Sequence, residues 1–392
     1  MRFFLIAGEP SGDALGAALM SGLKELRPDA AFDGIGGPAM EGEGLRSRFP
    51  MQELSLMGLW EIAPKYLHLK RRIAETARAV AAAEPDALIT IDSPDFCLRV
   101  ARAARAIKPN LRTIHYVAPS VWAWRPGRAA KMAQVIDHVL ALLPFEPPFM
   151  EAAGMTCDFV GHPVVSMPVA TPSEARAFRS ENGIGDAPLV LCLPGSRRGE
   201  VARLGPRFGA TLDRVAREIP DLRVAIPTVA HVAADVCAMV ANWPTSPIVV
   251  ENAQARRGAF AAGDAALAAS GTVSLDLAAN DVPMVIGYDM APLSRIIIGA
   301  MVKTPTVTLV NLVSETRAVP EFIARRCRPD LMAPPLLELL QDGAGRAAQV
   351  AAMKVTMDRL GRNGEPPGLR AAKSVLAAIE EHREIDQSLM RG

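Results

Sequence analysis

The segment LVLCLPGSRRGEVARL, residues 189–204, turns from an apolar run into Gly195, Ser196 and Arg197 just before a helix-competent stretch. Exposed N–H groups and the helix dipole favour negative charge at such a start, and arginine's forked donors suit phosphate, so the turn is a candidate anion site. A second turn of small residues, Ser270, Gly271 and Thr272, opens another helix that carries Asp276 in its second turn. Here N–H groups and hydroxyls can hold phosphate while the carboxylate binds ribose hydroxyls. Two anion-friendly helix starts in one half of the chain point to a nucleoside diphosphate.

The other half offers proton chemistry. LITIDSPDF ends a predicted strand with Asp92 and enters a helix through Ser93, Pro94 and Asp95. Asp95 is the better placed of the two carboxylates to cap that helix, which leaves Asp92 at the strand tip to accept a proton. The alternative is that both merely serve the turn. AGEPSGD places Glu9, Ser11, Gly12 and Asp13 after the first strand. Its spacing is not G-x-G-x-x-G and no Walker lysine follows, so it reads as a ligand-facing loop or as a plain strand-to-helix turn. In TIHYVAPSVWAWRPGR, His115 precedes a loop crowded with Trp122, Trp124, Arg125 and Arg128. Aromatic rings beside arginines suit sugar or lipid surfaces, but they also anchor loops, and a lone histidine is either a cleft residue or an interior one.

Residues 54–72, LSLMGLWEIAPKYLHLKRR, join Leu56, Met57, Leu59, Trp60 and Ile62 to the basic Lys65, Lys70, Arg71 and Arg72. Such a segment can lie in a membrane interface, apolar side chains inward and basic ones on anionic headgroups. A helix with a core-facing apolar side has the same periodicity.

The elements that must position these residues follow an alternation of short apolar runs and longer alanine-rich helical segments, the pattern of parallel sheets covered by helices. Strands are expected at 3–7, 87–91, 113–117, 139–143 and 158–160, with helices at 12–26, 69–83 and 96–107. After an expected linker, PVATPS at 168–173, strands recur at 189–193, 223–226, 248–251, 265–268 and 284–287. Two helices separated by NGEPPG are expected over 336–390. The fold class is therefore α/β, with domains at 1–167 and 168–335 and closing helices at 336–392. At 392 residues two domains are the natural division. Charge is nearly balanced, 43 basic against 42 acidic residues, which excludes a bulk field for nucleic acid. Five cysteines at 97, 157, 192, 237 and 327 lack the spacing of a zinc or redox motif, as expected of reduced thiols in a cytoplasm. The first apolar run is too short for a signal peptide, and no stretch has the length of a membrane span.

In their order, AGEPSGD, MGLWEI, IDSPDF, HYVAPSVWAWR, LLPFE, FVGHP, LPGSR, ASGTVSLDLA, PMVIGY and VNLV with VPEF resemble the lipid-A-disaccharide synthase family, over nearly the whole chain. HYVAPSVWAWR is the most distinctive of them. The resemblance implies a GT-B architecture, two doubly wound Rossmann-like domains facing across a cleft, the first for acceptor and lipid, the second for the UDP-sugar. It implies an inverting hexosyl transfer without metal or cofactor, from UDP-2,3-diacylglucosamine to the 6-hydroxyl of 2,3-diacylglucosamine 1-phosphate (lipid X). The products are the β-1,6-linked disaccharide 1-phosphate and UDP. It further implies a peripheral site on the cytoplasmic leaflet of the inner membrane, no nucleic-acid partner, and a homodimer that exchanges its C-terminal segment or a segment that crosses back to the first domain.

Carried over residue by residue, the family's essential aspartate matches Asp92, its UDP-contacting arginine matches Arg197 and its asparagine near the nucleotide matches Asn311. Departures stand at Asp276, where the family carries glutamate, at Ala324, where glutamine is common, and at Asp289, which replaces a basic residue. Alternatives with the same nucleotide half are a UDP-sugar epimerase, another sugar transferase, and a non-catalytic UDP-sugar-binding protein.

Overall fold

A computed structural model describes residues 1–54, 62–123, 127–290, 304–341 and 343–391. The chain divides into two compact units, Met1–Ser166 with Asn363–Gly392, and Met167–Arg362. Each is built on a six-stranded sheet whose strands all run parallel.

In the first unit the strands are β1 (Arg2–Ala7), β2 (Ala31–Ile35), β3 (Ala87–Ile91), β4 (Thr113–Tyr116), β5 (His138–Ala141) and β6 (Thr156–Phe159), in spatial order β2-β1-β3-β4-β5-β6. Helices cover both faces, so the central strands β1, β3, β4 and β5 are buried on both sides, and β1 and β3 read as largely apolar runs. Along β1 the side chains alternate between the two faces. Phe4 and Ile6 pack with Val80 of the helix Ile62–Ala83 and Val100 of the helix Pro94–Ile107. Phe3 and Leu5 pack with Leu19 and Leu23 of the helix Pro10–Leu26 and with Val375 and Ile379 of the last helix, Pro367–Arg391.

The last helix can lie this close because both contact points are glycines. A Cβ on Gly22 would sit 2.7 Å from the Gly368 carbonyl oxygen, and one on Gly368 would sit 2.5 Å from that of Ala18. Farther along, Ser374 donates to Asp158 Oδ2 at 2.6 Å and lies 2.8 Å from His138 Nε2.

In the second unit the strands are β7 (Leu189–Leu193), β8 (Arg223–Pro227), β9 (Ile248–Val250), β10 (Ala265–Ala269), β11 (Met284–Tyr288) and β12 (Glu321–Ile323), in order β12-β11-β10-β7-β8-β9. One face packs Val190 and Cys192 against Leu204, Phe208 and Leu212 of the helix Arg198–Glu218.

The structure adds β2 and β12 to the strands legible in the sequence. Both are edge strands: β2 carries Asp33 and Gly34 in its five residues and β12 is three residues long, so neither shows a continuous apolar run. The expected linker is shorter than 168–173, because Thr171 caps the helix Pro172–Glu181 in a reciprocal capping box with Glu174. The closing segment holds three helices, Pro329–Leu340, Ala344–Arg359 and Pro367–Arg391, with NGEPPG leading into the third, whose first residues are its Pro367 and Gly368. Among the described residues no helix is long and apolar enough to cross a membrane.

Candidate active site

Strand order decides where each unit can receive a ligand. In the second sheet the chain leaves β7 toward β8 and β9, returns to the opposite side of β7 as β10, and continues to β11 and β12. Connections diverge where β7 and β10 lie side by side, and the crevice at their carboxyl ends is the usual ligand position in such sheets. The loops at those two ends are Gly195–Arg197 and Ser270–Thr272. The first sheet repeats the device between β1 and β3, whose ends carry Gly8–Asp13 and Asp92–Asp95.

The Gly195 turn is built for charge. Gly195 has φ +111°, and a Cβ there would lie 2.6 Å from Glu200 Oε2, so glycine is required. Arg197 is the N-cap of the helix Arg198–Glu218, which sets two arginines at the positive end of a helix dipole. Each is parked on a carboxylate: Arg197 Nη1 on Glu200 Oε1 at 3.1 Å, and Arg198 Nε on Asp235 Oδ2 at 3.2 Å. Both side chains remain more than 70% exposed, 73% and 78%, and free to exchange those partners for a solute anion. His231 Nε2 meets the Ser196 carbonyl at 2.7 Å and fixes the turn. Tyr288 stands at the end of β11, and burial and then the Glu200 charge push its phenol up. Sequence reasoning missed Glu200, His231 and Tyr288, although Glu200 stands at the i+3 spacing from Arg197.

At the β10 end, Gly271 (φ +152°) and Thr272 are exposed, and nothing lies within 4 Å of where a Gly271 Cβ would be. Ser270 Oγ donates to the Val307 carbonyl at 3.3 Å, joining this turn to the segment before the helix Leu309–Ser314. Glu321 on β12 organises that segment, accepting the N–H groups of Val307 and Thr308, both at 2.9 Å, and the hydroxyls of Thr306 and Thr308. Asp276 lies largely buried in the helix Val273–Ala279, and desolvation pushes its carboxyl up to about 6.

Two sequence expectations change here. Asn311 is 1% exposed and its amide is spent within the chain, Nδ2 donating to the Val319 carbonyl at 2.9 Å and to Thr306 Oγ1 at 3.4 Å, and Oδ1 accepting the Val319 N–H at 3.0 Å. It shapes the loop instead of presenting an amide to solute. Asp289 is fully buried and paired with Arg207 at 2.9 Å, so it adds no exposed negative charge.

In the first unit Asp92 is half-buried at the tip of β3, with φ +50°, and Ser93 follows at φ +42°. Asp92 N–H donates to the Tyr116 carbonyl at 3.0 Å. Successive left-handed residues other than glycine cost about 1–3 kcal/mol each and concentrate at functional sites. The N-cap of the following helix is Ser93, with no side-chain capping bond, so Asp95 is not the cap that the sequence suggests; it stands in the first turn. Gly8 lets β1 approach this tip, since a Cβ there would fall 2.5 Å from Ser93 Oγ. Glu9 and Ser11 are exposed beside it, and Gly12 is buried.

Three further candidates serve structure. Asp13 is 4% exposed and caps the short helix Pro38–Gly42, Oδ1 accepting the N–H of Gly37 at 2.8 Å and of Met40 at 3.0 Å, and Oδ2 that of Ala39 at 2.9 Å. His115 is 1% exposed inside β4, its Nδ1 2.7 Å from Thr90 Oγ1, and burial pushes the imidazole down to about 4. Arg72 is held by Glu53 and Glu75 and lies over the Phe49 ring at 4.4 Å, which removes it from the free basic cluster. Lys70 and Arg71 stay exposed near Leu67, itself 72% exposed. Leu56, Met57, Leu59 and Trp60 lie outside the described residues.

Comparison with known proteins identifies the family. The family model for lipid-A-disaccharide synthetase matches residues 3–366. The chain belongs to the lipid-A-disaccharide synthase family. A family member from Ruegeria pomeroyi is 62% identical over 384 residues, 96% of this chain and 95% of its own length. Another, from Rhodospirillum centenum, is 46% identical over 389 residues, covering 99% and 97%. In fold the chain resembles the UDP-GlcNAc 2-epimerase of Neisseria meningitidis bound to UDP-GlcNAc (TM-score 0.60, 10% identity, 100% of both chains). It equally resembles Anabaena HepE in complex with UDP and glucose (TM-score 0.60, 13% identity, 97% and 99% covered). The architecture is GT-B, and the family makes the chain a glycosyltransferase of lipid A synthesis.

Proposed function

We propose that the chain transfers 2,3-diacylglucosamine from UDP-2,3-diacylglucosamine to the 6-hydroxyl of 2,3-diacylglucosamine 1-phosphate, giving the β-1,6-linked disaccharide 1-phosphate and UDP. The observation that carries this reading is the pair of turns at the β7 and β10 ends, where two arginines held on carboxylates at a helix start await an anion. In this mechanism Asp92 accepts the proton of the acceptor hydroxyl, whose oxygen attacks the anomeric carbon as the bond to the diphosphate breaks. Arg197 and the N–H groups of its helix start take up the negative charge of departing UDP, and Ser270–Thr272 with Asp276 hold the nucleoside side. Exposed Leu67, Lys70 and Arg71 support a peripheral seat on an anionic membrane surface.

Mass spectrometry of a reaction holding both lipid substrates, purified protein and a metal chelator tests the whole. A tetra-acylated disaccharide 1-phosphate is expected; its absence, with UDP still bound, moves the chain to a binding protein or a transferase of another substrate.

Asp276 gives a pH signature. Below about pH 6 its carboxyl is protonated in the free protein, and a protonated acid accepts ribose hydroxyls poorly. Affinity for a UDP-sugar, whose diphosphate has no titrating group in this range, therefore falls by up to ~10-fold per pH unit below 6. Calorimetry from pH 5 to 8 reads this slope, and D276N flattens it. A slope that persists in D276N assigns it to another group.

A further inference from the structure

Glu146, which follows β5 in LLPFE, is a 4% exposed carboxylate that the transfer reaction leaves unused. Its two oxygens serve different parts of the chain. Oε2 accepts the main-chain N–H of Leu142 at 3.2 Å and of Leu143 at 3.0 Å, and Oε1 accepts the indole N–H of Trp122 at 3.3 Å. The Trp122 ring also stands edge-on to Phe145, centroids 5.2 Å apart at 84°. The loop after β4 is thus fastened to the loop after β5 by one apolar contact and one carboxylate bridge.

Hydrogen bonds lead from this bridge to the tip of β3. Val117 N–H donates to the Leu140 carbonyl and Asp92 N–H to the Tyr116 carbonyl, both at 3.0 Å. Val117 has φ +86°, a conformation that a β-branched residue keeps only where its surroundings hold it. Burial pushes the Glu146 carboxyl up to about 7, against the pull of the Leu143, Trp122 and Leu142 donors. A buried carboxylate is a costly fastener, and an apolar contact alone would cover the same surface.

We propose that Glu146 is a positioning residue for the acceptor side of the reaction: through Trp122 it holds the 118–123 loop on the tips of β4 and β5, and so fixes the frame in which Asp92 meets the acceptor hydroxyl. This rests on the transferase reading above. Glutamine keeps the size of Glu146 but has one acceptor oxygen, so in E146Q an oxygen retained on the two main-chain N–H groups leaves an NH2 facing the indole N–H.

The test uses full-length E146Q, W122F and the double variant, with thermal melts as the folding control. In E146Q the kcat/KM for the acceptor is expected to fall about tenfold or more while UDP affinity holds. The double variant is expected to be no worse than E146Q, since both changes break one link. Independently of turnover, acrylamide quenching of tryptophan fluorescence rises in E146Q, and this rise disappears in the W122F background. Wild-type quenching in E146Q, or losses that add in the double variant, overturns the proposal. A wild-type protein that makes no disaccharide overturns the transferase reading instead, and quenching still decides whether Glu146 holds the loop.

Discussion

An Asp92→Asn protein is expected to lose ~10²–10⁴-fold in kcat, the usual contribution of a positioned general base, while retaining its affinity for UDP. Asparagine is the informative choice because Asp92 sits at φ +50°. Asparagine, like aspartate, tolerates the left-handed region, so the tip of β3 keeps its shape and only the proton acceptor is lost. Alanine would mix that loss with backbone strain. Single-turnover transfer measured beside UDP calorimetry separates the two effects. Turnover within about tenfold of wild type would remove Asp92 from the base role, and a parallel loss of UDP affinity would recast it as a structural residue.

That test depends on a placement the sequence reveals only in part. The run Ala87–Ile91 is apolar but for Thr90 and leads into Asp92, so both strand and tip are legible from residue types. The strain is not: Asp92 and Ser93 at positive φ are packed against Gly8, just after β1, and bonded to the Tyr116 carbonyl on β4, residues far away in sequence. The same limit explains Asp13, His115 and Asn311. Asp13 lies in the first turn of the helix after β1, His115 near the end of β4 and Asn311 in a short helix, and each is a polar residue of a kind that binds ligands. Whether its polar atoms face solute or the chain's own main chain is set by segments such as Gly37–Met40 and Val319, which no local pattern connects to it.

Central strands such as β1, β7 and β10 are readable because burial on two faces leaves a nearly continuous apolar run. Edge strands β2 and β12 escape that rule. β12 nevertheless matters to the site, because its Glu321 gathers four hydrogen bonds from Thr306, Val307 and Thr308. A glutamate in a three-residue strand carries no periodic signal of such a role. Strand order, likewise invisible in sequence, is what brings Gly195–Arg197 beside Ser270–Thr272.

Arg197→Ala should weaken UDP binding ~10–100-fold, more than the loss of one exposed ion pair alone would suggest. Arg197 is 73% exposed and spends its guanidinium on Glu200 at 3.1 Å. Removing it deletes the phosphate donor and also leaves Glu200, 14% exposed, uncompensated against the turn that receives the diphosphate. The second effect is separable. Glu200→Gln in the Arg197→Ala background relieves the repulsion and should recover part of the lost affinity, whereas Arg197→Lys keeps the charge but not the paired donors and should fall between wild type and alanine. Calorimetry of UDP over this set, repeated at raised salt, reads both terms. If Arg197→Ala binds UDP like wild type, the Gly195 turn is not the diphosphate seat. If Glu200→Gln recovers nothing, the Arg197–Glu200 pair is a surface ion pair of no consequence to binding, and the loss belongs to the missing phosphate contact alone.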